Sequence, residues 1–265
     1  MYDSLLLCPD VRNTLEKNSM SMPLLNEALD TPPMLALSAL LAVALMTGCV
    51  ENRTDSPLRL LGSYVVTQDC ALDLATQLGQ GSLDLAGARQ LGDSAALNVR
   101  YLSLFDVRNE MKSNPVREGD NELASATRNT ATLNRLKLSY QSTPNVVIRP
   151  EEIAVSFTLP ATGGAGGAPT AGMILNLVGP NAAQALLDNV VAGDTLALTV
   201  TAELSGTLYS GGTIESNVRS YTIQVYDTGR VCRPGTELEL NGPCGTLGGQ
   251  DNYPVNCIVP DAGTL

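Results

Sequence analysis

The chain has 265 residues, 44% of them hydrophobic, and carries a formal net charge of −11. It contains no histidine, which excludes Ser-His-Asp and Cys-His catalysis and every histidine-based metal site. The acid excess disfavours nucleic acid as a partner, because affinity for phosphate backbones comes mainly from Lys and Arg displacing counterions.

In chain order, the first element is the uncharged run MLALSALLAVALMT at 34–47. Its 14 residues fall short of the roughly 20 needed to span a bilayer, but they match the apolar region of an export signal. Met46-Thr47-Gly48-Cys49 follows. This ending resembles the lipobox of bacterial lipoproteins: Thr47, Gly48 and Cys49 match it, and Met46 stands where Leu is commoner. The resemblance implies that residues 1–48 are removed and that Cys49 becomes the lipid-bearing first residue. Val50, rather than Asp, follows the cysteine and by the same resemblance implies sorting to the outer membrane. Lipid attachment rests on the lipobox itself, since no basic stretch directly precedes Met34. Residues 49–57 are polar, end at Pro57 and suit a flexible tether. The mature chain from Cys49 keeps a net charge of −8.

Residues 58–68 read as a first strand centred on Tyr64-Val65-Val66, and 82–85 alternate briefly. A longer strand is expected over 96–107. There Leu97, Val99, Tyr101, Phe105 and Val107 share one face, with Asn98, Arg100 and Asp106 on the other. Residues 108–129 are polar, contain Pro115, and read as a long exposed loop. Alternation resumes at 131–140, where Leu136, Leu138 and Tyr140 oppose Arg135, Lys137 and Ser139. Residues 145–149 form a short apolar stretch of strand. At 152–159, Ile153, Val155, Phe157 and Leu159 alternate with Glu152, Ser156 and Thr158. Residues 160–172 are a Gly- and Pro-rich loop.

Residues 173–178 read as another short strand. The one substantial helix is expected over 181–191, capped by Asn181 and stopped by Gly193, with Ala182, Leu186 and Val190 on one face. The clearest alternation runs from Leu196 to Leu204. Gly211-Gly212 marks a turn, and Tyr221, Ile223 and Val225 lie on the return strand. Repeated period-2 strands predict a mainly β domain over 58–231: an antiparallel two-sheet sandwich, immunoglobulin-like, with one short helix. A Cys-rich tail, 232–265, follows.

Four cysteines lie beyond Cys49: Cys70, Cys232, Cys244 and Cys257. An even set in an exported chain predicts two disulfides. Three of the four are in the tail, so one bridge must join the tail to Cys70. The preferred pairing is Cys70 with Cys232, which directly follow the first and last strands, leaving Cys244 with Cys257. The tail has little apolar periodicity, so its order is expected to come from these cross-links. Its Gly242-Pro243-Cys244-Gly245 and Gly248-Gly249-Gln250-Asp251 turns resemble the tails of myxobacterial outer-membrane lipoproteins. That resemblance implies no activity.

The candidates for chemistry are few. Gly163–Gly167 lacks the Gly-Lys-Ser/Thr ending of a phosphate loop and reads as linker. Glu151-Glu152 and Glu237/Glu239 are acids of the kind a glycosidase needs in one cleft. Asp251-Asn252 and Glu118 to Glu122 carry oxygen ligands but lack the regular calcium-loop spacing. Neither Lys112 nor Lys137 stands in a Ser-x-x-Lys arrangement. The sequon Asn52-Arg53-Thr54 is idle in a bacterial export route. No cofactor is expected. The leading expectation is a lipid-anchored envelope module, held at the membrane through Cys49, that binds another envelope protein or serves as a structural subunit. The alternative is an envelope hydrolase working with carboxylates alone.

Overall fold

Period-2 alternation over long segments dictates strands with one wet and one dry face, and the chain folds accordingly. The computed structural model describes residues 56–71, 76–119, 121–161 and 170–260. Cys49 with its lipobox, the sequon and Gly163–Gly167 lie outside them. The strands are β1 (Leu58–Tyr64), β2 (Gly81–Asp84), β3 (Leu102–Asn109), β4 (Pro115–Glu118), β5 (Asn121–Thr127), β6 (Ala131–Thr143) and β7 (Glu151–Leu159). They continue with β8 (Thr170–Asn176), β9 (Thr195–Leu208), β10 (Thr213–Glu215), β11 (Arg219–Tyr226), β12 (Glu237–Leu238) and β13 (Cys257–Ile258). The α-helices are α1 (Ala86–Arg89), α2 (Ala95–Asn98) and α3 (Pro180–Asn189).

The larger sheet runs β2-β11-β9-β6-β7, with β10 also paired to β9, and it curls into a half-barrel. The smaller sheet runs β1-β3-β8. Both feed one buried apolar cluster. Leu58, Phe105 and Leu175 enter it from the smaller sheet, Leu136, Val200 and Ile223 from the larger, and Ala182, Leu186 and Val190 from α3 and its C-cap. The expected face of the helix is therefore the buried one. Asn217 ties the two sheets along the β1 edge. Its side chain accepts from the Leu60 amide (2.7 Å) and donates to the Leu60 carbonyl (3.2 Å).

Several expectations need correction. Residues 95–98 are the helix α2, Leu97 is 70% exposed, and β3 begins only at Leu102. Asp106, expected on a wet face, is 8% exposed. Side chains on both faces of β3 are buried from Ser103 to Val107, so its burial does not alternate. The expected loop at 108–129 contains the β4–β5 hairpin, and 145–149 forms no strand. Tyr64 ends β1 rather than centring it. β2 runs parallel to β11, outside an all-antiparallel scheme.

The helix start also differs from expectation. Gly179 is the N-cap residue and Pro180 opens the helix, a position where proline's missing N–H costs nothing. The free amides of Asn181 and Ala182 donate instead to the Glu151 carboxylate, at 3.2 and 3.5 Å. A carboxylate at a helix N-terminus also complements the helix dipole.

Gly206 in β9 sits where an added Cβ would run into the carbonyl oxygen of Thr132 and the backbone of Leu133. Backbone cannot swing aside as a side chain can. Gly206→Ala is expected to destabilise by about 1–3 kcal/mol, the usual cost of overpacking. Gly79→Ala, where nothing lies within 4 Å of the added carbon, is the control. Urea midpoints of the two variants check this, and equal midpoints would contradict it.

Candidate functional site

The tail docks on the body through two disulfides and a hydrogen-bonded key. The disulfides are Cys70–Cys244 and Cys232–Cys257, with Cα–Cα distances of 4.6 and 5.6 Å. One bridge does join Cys70 to the tail, but the preferred Cys70–Cys232 and Cys244–Cys257 pairing is wrong. The reason lies in backbone contacts remote in sequence. The Cys244 amide donates to the Thr67 carbonyl at 3.1 Å, which sets it beside the turn bearing Cys70. The Cys232 amide donates to the Gln90 side chain at 2.7 Å, which holds it against the end of α1. Pairing of β12 with β13 sets Leu238 opposite Cys257, returning Cys257 to the start of the tail.

The key is Gly248-Gly249-Gln250-Asp251. An added Cβ on Gly248 would meet the Pro254 carbonyl, and on Gly249 the Asp84 carbonyl. Gly249 also has φ +121, which glycine tolerates best. Its carbonyl accepts from the Asp84 amide at 2.7 Å. Gln250 is 4% exposed. Its side chain accepts from the Leu102 amide (2.8 Å) and donates to the Leu102 carbonyl (2.6 Å). The Asp251 carboxylate accepts from the Ser82 amide (2.8 Å) and from the Tyr101 hydroxyl (3.0 and 3.1 Å). Tyr101 in turn meets the Tyr221 hydroxyl at 3.0 Å.

The tail is thus ordered by a polar lock as well as by cross-links. Burial pushes the Asp251 carboxyl above its ordinary value of 3.8, against hydrogen bonds from Ser82, Gln250 and Tyr101 that pull it down. Burial and the neighbouring Asp251 push the Tyr101 phenol far up. Tyr221 rises to about 12, chiefly through burial. The Asp251 carboxylate is occupied by protein donors, and among the described residues no group of three or more Cys, Asp or Glu side chains is arranged to hold a metal ion.

Among the described residues are two open troughs. One, of about 500 Å³, lies on the outer face of the larger sheet and is lined by Lys137, Ser139, Glu152, Thr201, Glu203 and Val218 among others. Lys137 donates to Glu215 at 3.0 Å and stands 3.7 Å from Glu203. The hydrogen bond to Glu215, with the neighbouring carboxylates, holds its ammonium above the ordinary lysine value. The second trough, of about 730 Å³, is formed by the tail against the start of the domain and includes Leu91, Arg100, Thr236, Glu237, Leu240 and Leu247.

Glu151 and Glu152 both line the first trough but are held by different partners. Glu151 accepts from Tyr140 at 2.7 Å besides capping α3. Glu152 pairs with Arg135 at 3.3 Å on the exposed face. Glu237 lines the other trough, and Glu118 and Glu122 lie on the β4–β5 hairpin. Sequence reading missed the Lys137–Glu203–Glu215 cluster. Its only signal is that all three positions are polar in alternating strands.

Two outcomes follow from this geometry. Non-reducing peptide mapping should recover Cys70–Cys244 and Cys232–Cys257 peptides. On the chain-entropy model, loss of the bridge spanning 174 residues costs about 5 kcal/mol, against about 3.5 for the bridge spanning 25. Paired Cys→Ser variants should therefore rank in that order in guanidinium unfolding. Asp251 supplies the second. Because its folded pKa is raised, the folded form holds the proton more tightly than the unfolded chain. Its contribution to stability is present below 3.8 and is lost as pH rises through the folded value. Asp251→Asn stays neutral, so the stability difference should shift in the variant's favour as pH climbs toward neutrality. Parallel stability profiles for the two proteins would rule this out.

No family model, curated protein or solved structure matches the chain.

Proposed function

We propose that the mature protein is a lipid-anchored β domain of the bacterial cell envelope that acts as a binding or structural module. The observation that carries this reading is the partition of the cysteines. All four beyond Cys49 pair with one another, which leaves none of them to Cys49. It stands directly after an apolar run of signal length. Disulfides persist in oxidising compartments outside the cytoplasm, in keeping with export. Among the described residues no helix is long and apolar enough to cross a membrane. Attachment in this reading is through the lipid on Cys49, with sorting to the outer membrane.

The immunoglobulin-like form of the sandwich belongs to the same proposal. The support is that two sheets share one core; the parallel β2–β11 pair departs from it. The partner in this reading is another envelope protein. Its support is the pair of open troughs, together with apolar side chains left exposed on and beside the tail: Val231 at 75%, Leu240 at 61% and Val259 at 74%. What weighs against the carboxylate hydrolase is that Glu151, one of the two adjacent acids in the first trough, is committed to a helix terminus and to Tyr140.

The deciding experiment is Cys49→Ser in the producing cell. The wild-type protein should partition with membranes and show an intact mass that begins at Cys49 with added acyl chains. The variant should be released from the membrane fraction. Unchanged partitioning, or a wild-type mass without lipid, would overturn the anchor. Cross-linking in intact envelope, followed by purification, should return one stoichiometric protein partner.

A further inference from the structure

We infer that β7 is an interaction edge that pairs with the β7 of a second copy of this chain, joining two larger sheets into one. Among the described strands β7 has a hydrogen-bonded neighbour on one side only, β6. At nine residues it is longer than most edge strands. Protected edges usually carry lysine, proline, an inward-pointing charge or a very short strand. From Ile153 to Leu159 β7 has no lysine, proline or inward-pointing charge; its protection is confined to Glu151 at the start of the inward row, the flanking Pro150 and Pro160, and a one-residue register shift against β6 at Val155–Ser156. The ladder to β6 shifts register between Leu133 and Arg135, yet β7 keeps strict inward–outward alternation from Glu151 to Thr158.

The core does not end cleanly here. On β6 the inward Leu133, Leu136 and Leu138 are at most 1% exposed. On β7 the inward Ile153, Val155 and Phe157 pack on the core but stay only half-buried. A further strand laid along β7 would cover that row and pair the free backbone groups.

The sequence of β7 fits its own copy. An antiparallel pairing about a two-fold axis at Val155 sets Ile153 opposite Phe157, Val155 opposite itself and Ala154 opposite Ser156. Apolar then meets apolar on the inner face, and small meets small on the outer. Such an isologous contact is closed and stops at two subunits. Charge agrees with this register. Each Glu152 lies opposite a Thr158, and the two Glu152 residues are held roughly 20 Å apart at the strand rise, beyond the ~8 Å screening length of physiological salt. A parallel pairing in register would stack the Glu151-Glu152 pairs of an already acidic chain against each other.

Sedimentation equilibrium of the full chain in density-matched detergent tests this. The wild type should show a concentration-dependent monomer–dimer equilibrium. Val155→Lys places a charge at the axis, where the monomer's open edge lets it reach water but a second copy would bury it. Ala154→Lys/Ser156→Lys alters only exposed positions and so guards against a misfolded first variant. Each should raise the dimer Kd about tenfold or more with an unchanged circular dichroism spectrum. Thr199→Lys, on the central strand β9, should leave the equilibrium alone. The inference is overturned by a wild type that stays monomeric at the highest concentration reached, or by a dimer that tolerates both edge variants. A monomer that takes up a heterologous strand instead would also reject the second copy as occupant.

Discussion

Buried backbone groups must find partners, and at the start of β3 those partners come from a side chain. Leu102 opens the middle strand of the smaller sheet, where its amide and carbonyl have no strand to meet. The Gln250 amide supplies both donor and acceptor, reproducing what one residue of a neighbouring strand would offer. Asp251 does the same for the Ser82 amide, while the Asp251 amide donates to the Ser82 carbonyl at 2.9 Å. One dipeptide of the tail therefore completes the ends of β2 and β3 together. Because β2 belongs to the larger sheet and β3 to the smaller, the dipeptide also fixes one sheet against the other.

That arrangement explains the glycines around it. The tail must come within hydrogen-bonding reach of Asp84, and only a residue without Cβ can approach so closely at Gly249; Gly248 answers to the tail itself, where an added Cβ would meet the Pro254 carbonyl. Gly81 meets the same demand from the other side, since an added carbon there would strike the Tyr101 hydroxyl. The Tyr101–Tyr221–Asp251 cluster is then a polar inclusion whose members satisfy one another. Removing one partner of such a group costs more than the bond itself, because the others are left buried and unpaired.

Where one face of a strand is wet, the pattern was legible. β6, β7, β9 and β11 alternate in sequence and alternate in burial, and α3 showed its buried face through Ala182, Leu186 and Val190. Legibility failed where burial is two-sided or set from afar. β3 is covered on both faces, so Leu97 to Val107 gave a false continuous strand. The Gly-Gly-Gln-Asp turn was visible as a motif, but a glutamine reads as a solvated residue until Leu102 is seen beside it. The cysteine pairing failed for the same reason: chain position next to a strand end says nothing of Thr67 or Gln90. Lys137 and Glu215 lie 78 residues apart, and no local pattern joins them.

The charges on α3 separate structural acids and bases from those left for contact. Glu151 sits at its N-terminal end and accepts from the free amides. Arg89, from α1, sits at its C-terminal end and donates to the carbonyls of Leu187 (2.8 Å) and Val190. Both choices agree with the sign of the helix dipole. Asp227, at 2% side-chain exposure, pairs with Arg89, so the guanidinium that closes the helix is itself held from the end of β11. A buried pair of this kind is a weak source of net stability, since desolvation offsets much of the attraction. Its value here is geometric: it fixes α1, α3 and the end of β11 in one arrangement. Charges so engaged are poor candidates for ligand recognition, because a ligand would have to break a helix terminus to reach them. Lys137, Glu203, Glu215, Arg135 and Glu152 instead pair across the open face of the larger sheet. Exposed ion pairs are worth little to stability and are easily exchanged for other charges, so a charged ligand would meet less resistance on that face than at the acids the helix has already used.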